Sequence, residues 1–122
     1  MSTTHKTRTF IGAYRELYPE KPDWPSMRDS FSAHPYPGQG KLIYFMMHAN
    51  PGLVGMCSCY DVFTGERIRT SKIRMSYGDY EWWDELVHYV KEYNHRLPVD
   101  FESYALSVSA KEVYENYMSW HG

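Results

Sequence analysis

Glu81, Glu85, His88 and Glu92 recur at i, i+4, i+7 and i+11, with Asp84 and His95 beside them. On a helix that spacing stacks the side chains into one acidic ridge. A row of carboxylates can meet a basic surface on another protein. Joined by histidine, carboxylates can also ligate metal. The Glu-x-x-His spacing occurs twice, at Glu85…His88 and Glu92…His95. In di-iron bundles the two units come from different helices; on one helix they stand about 10 Å apart, too far for one small cluster. Trp82 and Tyr89 fall at the margin of the neighbouring apolar arc, where partial exposure is expected. Glu81, Trp82, Asp84, Glu85, His88, Tyr89 and Glu92 therefore form the first candidate surface, suited to a protein with a basic surface or groove. An ordinary solvated helix face, its N-terminal acids favoured by the helix dipole, accounts for the same residues.

A second constellation is basic. Arg67, Arg69, Lys72 and Arg74 lie in a polar strand pattern, with Tyr60 and Tyr77 near in sequence. Cations beside aromatics suit a nucleic-acid backbone with stacked bases. Residues 67 and 69 differ in parity from 72 and 74, so an unbroken strand points the pairs to opposite faces. A bulge near Thr70-Ser71 would unite them. A charged sheet edge that discourages pairing with another chain is the alternative. His48, Cys57 and Cys59 form the third group. A hairpin tip at Pro51-Gly52 would place them on one sheet face, with three soft zinc ligands and no evident fourth. Core packing of the cysteines is the plainer reading, and no metal ligand set or cofactor is assigned.

Catalytic signatures are missing. The chain has no Gly-x-Ser-x-Gly, no His-Glu-x-x-His and no dinucleotide fingerprint. Gly38-Gln-Gly40-Lys41 precedes a predicted strand, whereas a phosphate loop follows one and opens a helix.

The elements that must position these groups follow from pattern. Residues 7–18 read as an amphipathic helix carrying Phe10, Ile11, Tyr14, Leu17 and Tyr18 on one stripe. Residues 19–40 are irregular and hold five of the seven prolines. Residues 41–48, 53–62 and 67–76 read as three strands, the first central and the last an edge. Residues 79–95 read as the clearest helix, with Trp83 at the centre of its apolar arc. Residues 101–108 lean towards a short fourth strand. Ser109-Ala-Lys-Glu112 is a capping box that opens a last helix. The expected class is α+β: an antiparallel sheet of three, or with 101–108 four, strands, helices on one face, in the order α-β-β-β-α-(β)-α.

Composition fits one globular domain over residues 1–122, apart from the proline-rich segment. The chain has 12 Tyr, 4 Trp and 7 Met, and a net charge of only −2. Tyr and Trp serve cores and interfaces alike. Residues 1–77 carry ten Lys/Arg against six Asp/Glu, and residues 78–122 three against nine. So small a total argues against purely electrostatic binding to nucleic acid. No apolar run approaches a membrane span, and the start has no secretory core. Cys57 and Cys59 are too close in sequence for an easy disulfide, so a cytoplasmic protein with free thiols is expected.

The predicted α-β-β-β-α order over 7–95 resembles the topology of double-stranded-RNA-binding domains. That family docks phosphates with basic residues opening its second helix; here Asp79, Glu81, Asp84 and Glu85 stand there, so the resemblance is one of topology. In size and composition the chain resembles small proteins carried by phages and mobile elements, including anti-CRISPR inhibitors of bacterial defence nucleases. The expected function is thus a small non-enzymatic protein that binds and regulates another protein. The alternatives are a nucleic-acid-binding module using the basic edge, and a small metal protein or enzyme centred on His48 and Cys57.

Overall fold

The computed structural model describes residues 7–121. The reading of the first residues as carrying no secretory signal falls mostly on residues 1–6, outside the described residues.

The class is α+β, as expected, but the sheet is built differently. Four strands run in the order β1-β6-β5-β2: β1 (Thr9–Phe10), β2 (Asn50–Val54), β5 (Ile73–Tyr77) and β6 (Tyr80–Trp83). β1 is parallel to β6, and the other pairs are antiparallel. A separate ribbon joins β3 (Cys59–Tyr60) to β4 (Arg67–Ile68). The helices are α1 (Gln39–Met47), α2 (Leu86–Tyr93), α3 (Val99–Ser107) and α4 (Ala110–His121), with a short 3-10 turn at Met27–Ser30. The sheet is therefore mixed and four-stranded rather than antiparallel and three-stranded. No helix among the described residues is long and apolar enough to cross a membrane.

Several sequence expectations are corrected, among them the 53–62 and 67–76 strands, which divide into β2 with β3 and β4 with β5, β5 lying inside the sheet rather than at its edge. The 7–18 helix does not form. Gly12 takes φ 114°, which breaks a helix, and the backbone before it pairs with β6 through Thr9 N–H to Asp79 and Ile11 N–H to Glu81. The order α-β-β-β-α is lost with that helix, and with it the topological resemblance to RNA-binding domains. The 41–48 strand is the helix α1. A continuous apolar run fits either element, and here Leu42, Phe45, Met46 and Ala49 bury a stripe at i, i+3, i+4 and i+7. Gly38–Lys41 thus opens a helix after all, but no strand precedes it directly, and Lys41 Nζ donates to the Leu106 carbonyl.

The expected 79–95 helix divides in two. Gly78 and Asp79 form a two-residue hairpin loop, so Tyr77 faces Tyr80 and Met75 faces Trp82. A Cβ at Gly78 (φ 57°) would overlap the Tyr104 hydroxyl, which together with the left-handed backbone favours glycine. Helix begins only at Leu86 and ends at Asn94 in the left-handed conformation. Residues 101–108 belong mainly to helix α3, with Phe101, Glu102 and Ala105 buried. The last helix forms as predicted: Ser109 Oγ accepts from Glu112 N–H. The Glu112 carboxylate accepts from the Tyr77 hydroxyl.

Trp82, on β6, is fully buried against Phe45 of α1 and Phe101 of α3, at ring separations of 6.0 and 5.3 Å. This aromatic packing is the centre of the fold and fixes α1 and α3 against the sheet.

Candidate functional site

The acidic residues do not make one helical ridge, because Glu81 is on a strand and Asp84 and Glu85 precede α2. Glu81 pairs with Arg74 on the adjacent strand. Asp84 accepts from the Thr70 hydroxyl and from Ile73 N–H. Glu85 lies 3.6 Å from Lys72. Trp82 and Tyr89, expected to be partly exposed, are both 0 % exposed. Their period-2 and helical positions each point inward, and burial raises the Tyr89 hydroxyl pKa to about 12. Of the seven residues, Glu92 alone is exposed. His95 is enclosed beside Tyr14 and Phe31 while Glu92 is exposed, so the second Glu-x-x-His unit does not share one surface.

The basic strip is also divided. The chain leaves β4 after Ile68 and enters β5 at Ile73, with Lys72 at φ 58° between them. The break falls where the parity argument required one, but it leaves Arg67 on the β3–β4 ribbon, Arg74 in the four-stranded sheet, and Arg69 and Lys72 in the connection between them. Lys72 is engaged by Glu85. Arg74 pairs with Glu81 and lies over the rings of Phe10 and Trp83, at 4.6 and 4.9 Å. Arg67 and Arg69 stay exposed and form no ion pair among the described residues. Tyr60 sits opposite Arg67 and is exposed, whereas Tyr77 is held by Glu112.

His48, Cys57 and Cys59 are not brought together as the hairpin reading required. His48 ends α1 and stacks on Tyr44, with Tyr117 at its edge. Cys57 is exposed and Cys59 buried. Burial and the neighbouring Glu85 push the Cys59 thiol up to about 12. Among the described residues no group of three or more His, Cys, Asp or Glu could hold a metal ion.

What the fold does assemble is a groove of ≈ 440 Å³, bounded by the end of α1, β2, the β4–β5 connection, α2 and α4. Its apolar surface comes from Met46, Met47, Ala49, Pro51, Ile68, Ile73, Met75, Val87 and Tyr117. Its polar surface comes from Arg69, Thr70, Asp84, His88, Lys91 and Glu92. A cavity of this size with a few convergent polar groups is the usual form of a ligand-binding site.

The polar wall is held from behind. Asp61 is 4 % exposed and accepts from His88 Nε2 at 2.7 Å, the Tyr93 hydroxyl at 2.7 Å, and the backbone N–H of Phe63 and Thr64. Burial alone would raise its pKa, but these four donors together lower it. The carboxylate is therefore ionised at neutral pH, which places a proton on His88 Nε2. Tyr93 is shifted the other way, to about 12, by burial and by its bond to Asp61. Asp61 thus ties the β3–β4 turn to α2 and fixes the His88 ring in the groove wall.

No protein-family model, curated protein or solved structure matches the chain.

Sequence reasoning missed Asp61 and most of the groove. Asp61 carries a local signal, since Asp-x-x-x-Gly at 61–65 is turn chemistry in which the carboxylate caps nearby N–H groups. The groove carries none, because Met47, Arg69, Met75, Lys91 and Tyr117 are far apart in sequence.

Proposed function

We propose that the protein acts by binding another protein, without catalysis, and that the groove is the surface it uses. One observation carries this reading: large apolar side chains stay exposed on the elements that wall the groove. Met47 of α1 is 52 % exposed, Leu53 of β2 72 % and Trp120 of α4 57 %. Met47 lines the groove itself, and large apolar side chains left exposed beside a concavity are the usual mark of a protein-interaction site. The narrower reading, an inhibitor that lays an acidic ridge into the basic groove of a nuclease, finds less support, since Glu81 and Glu85 face Arg74 and Lys72 within the chain.

The test is affinity capture from a lysate of the source cells, with and without nuclease treatment. Wild type should retain a protein partner, Met47→Lys with Leu53→Lys should lose it, and Val99→Lys should keep it. Val99 is 77 % exposed on α3, away from the groove lining, and controls for added surface charge. Retention by the groove variant would overturn the proposal, as would recovery of nucleic acid in place of protein.

A further inference from the structure

We infer that the groove takes an acidic peptide segment: a bulky apolar side chain enters it, and neighbouring carboxylates rest on Arg67 and Arg69. The inference rests on the proposed protein-binding role and specifies the partner's chemistry. Arg69 and Thr70 line both the groove and a shallow hollow completed by Arg67 and Ser71. The apolar site and the basic site are therefore one continuous surface.

Their charges are unequal. Lys72 and Arg74, the other cations of the strip, are engaged by Glu85 and Glu81. Asp84, one of two acids in the lining, accepts from Thr70 and Ile73. Lys91 offsets Glu92 on α2. Of the four cations of the strip, Arg67 and Arg69 are the two that form no ion pair among the described residues. Guanidinium groups bind carboxylates in a forked geometry, which sets orientation and register while the apolar side chain supplies most of the affinity. A nucleic-acid ligand suits the surface less well. Its bases need aromatic platforms, and this groove is lined mainly by methionine, isoleucine and valine, with Tyr117 as its one tyrosine and the His88 ring tied to Asp61.

The experiment selects a displayed library of random twelve-residue peptides on the full chain at low salt. Enriched peptides should combine Leu, Met, Phe or Trp with an excess of Asp and Glu. A synthetic peptide from that pool should bind Arg67→Glu with Arg69→Glu at least roughly tenfold more weakly, and the salt dependence should flatten in that variant. Met47→Lys should weaken the same peptide. Enrichment of Lys/Arg-rich peptides, or of acidic ones indifferent to the arginine change, would overturn the acidic assignment and leave the groove reading standing. Peptides indifferent to Met47→Lys, or no enrichment at all, would count against both. A single-stranded twelve-nucleotide probe that outbinds the peptide and is lost with the arginine change would replace this inference with nucleic-acid binding.

Discussion

Arg74 and Arg69 lie five residues apart and end in opposite circumstances. Around Arg74 the chain closes on itself: Glu81 pairs with it, and Phe10 and Trp83 cover its guanidinium. Around Arg69 no ion pair closes among the described residues. The arginine is exposed, and Met47 and Leu53 stand uncovered on neighbouring elements. Both regions draw on cations and large apolar side chains. Where such groups meet within the chain they become structure, and where they meet solvent they form the surface proposed above for a ligand. A residue class therefore does not by itself mark a site; what separates the two regions is whether the group has an internal partner among the described residues.

The comparison breaks most sharply at β6, whose adjacent tryptophans face opposite ways. Trp82→Ala removes a fully buried ring from between Phe45 and Phe101 and should cost about 3–5 kcal/mol. Trp83→Ala removes a half-buried ring over Lys72 and Arg74 and should cost about 1 kcal/mol. Chemical denaturation of both variants checks this. Equal losses would mean that the outer face of the sheet is packed as tightly as the inner one.

The second largest effect comes from acid. Burial beside Tyr14 and Phe31 lowers the His95 pKa from 6.5 to about 4, with Glu102 and Glu16 opposing the shift. Folding therefore favours the neutral ring. The stability it protects is present above pH 6.5 and is lost as the pH falls towards 4, about 3 kcal/mol in all. The lowered carboxylates of Asp61 and Glu16 act in a more acidic window, as the pH falls through and below their usual values. His95→Phe should flatten the loss between pH 6.5 and 4 in urea titrations. A slope unchanged by that substitution would move the acid sensitivity elsewhere.

These regions were unequally legible in the sequence. Helix α4 could be read because Ser109 and Glu112 form a cap that needs no distant partner. The α+β class followed from the mixture of periods. Residues 80–83 could not be read, because Tyr80-Glu-Trp-Trp suits a period of 3.6 or of 2, and only the hairpin with β5 decides between them. Residues 41–48 failed for a similar reason: an apolar run names a buried element without naming its kind. The acidic ridge failed as a consequence, since its spacing existed only on a helix that does not form there. The groove was out of reach because its lining is gathered from six parts of the chain, none with a local pattern of its own.

A smaller effect sharpens the comparison from behind the groove wall. Asp61→Ala removes the acceptor shared by His88, Tyr93 and two backbone N–H groups. Leaving these donors unmatched should cost about 2–3 kcal/mol. Asp61→Asn keeps one acceptor oxygen and should cost less. Hydrogen exchange should show the loss concentrated in residues 59–68 and α2. Uniform loss across the sheet would show that the ribbon is not a separately tied unit.

The smallest stability effect is the most informative about function. Met47→Lys with Leu53→Lys changes two large apolar residues, normally a severe perturbation, at positions 52 % and 72 % exposed. Neither is in the core, so the pair should move stability by no more than about 0.5 kcal/mol. The matched change one residue earlier, Met46→Lys, places a charge at a site with 0 % exposure and should prevent stable folding. Thermal melts of the two variants then separate the meanings of an apolar residue in this region. A folded, stable double variant that loses its ligand would show that Met47 and Leu53 serve recognition alone. A double variant that unfolds would mean that this surface is closed within the protein, as the Arg74 side is, and that the contrast between the two regions does not hold.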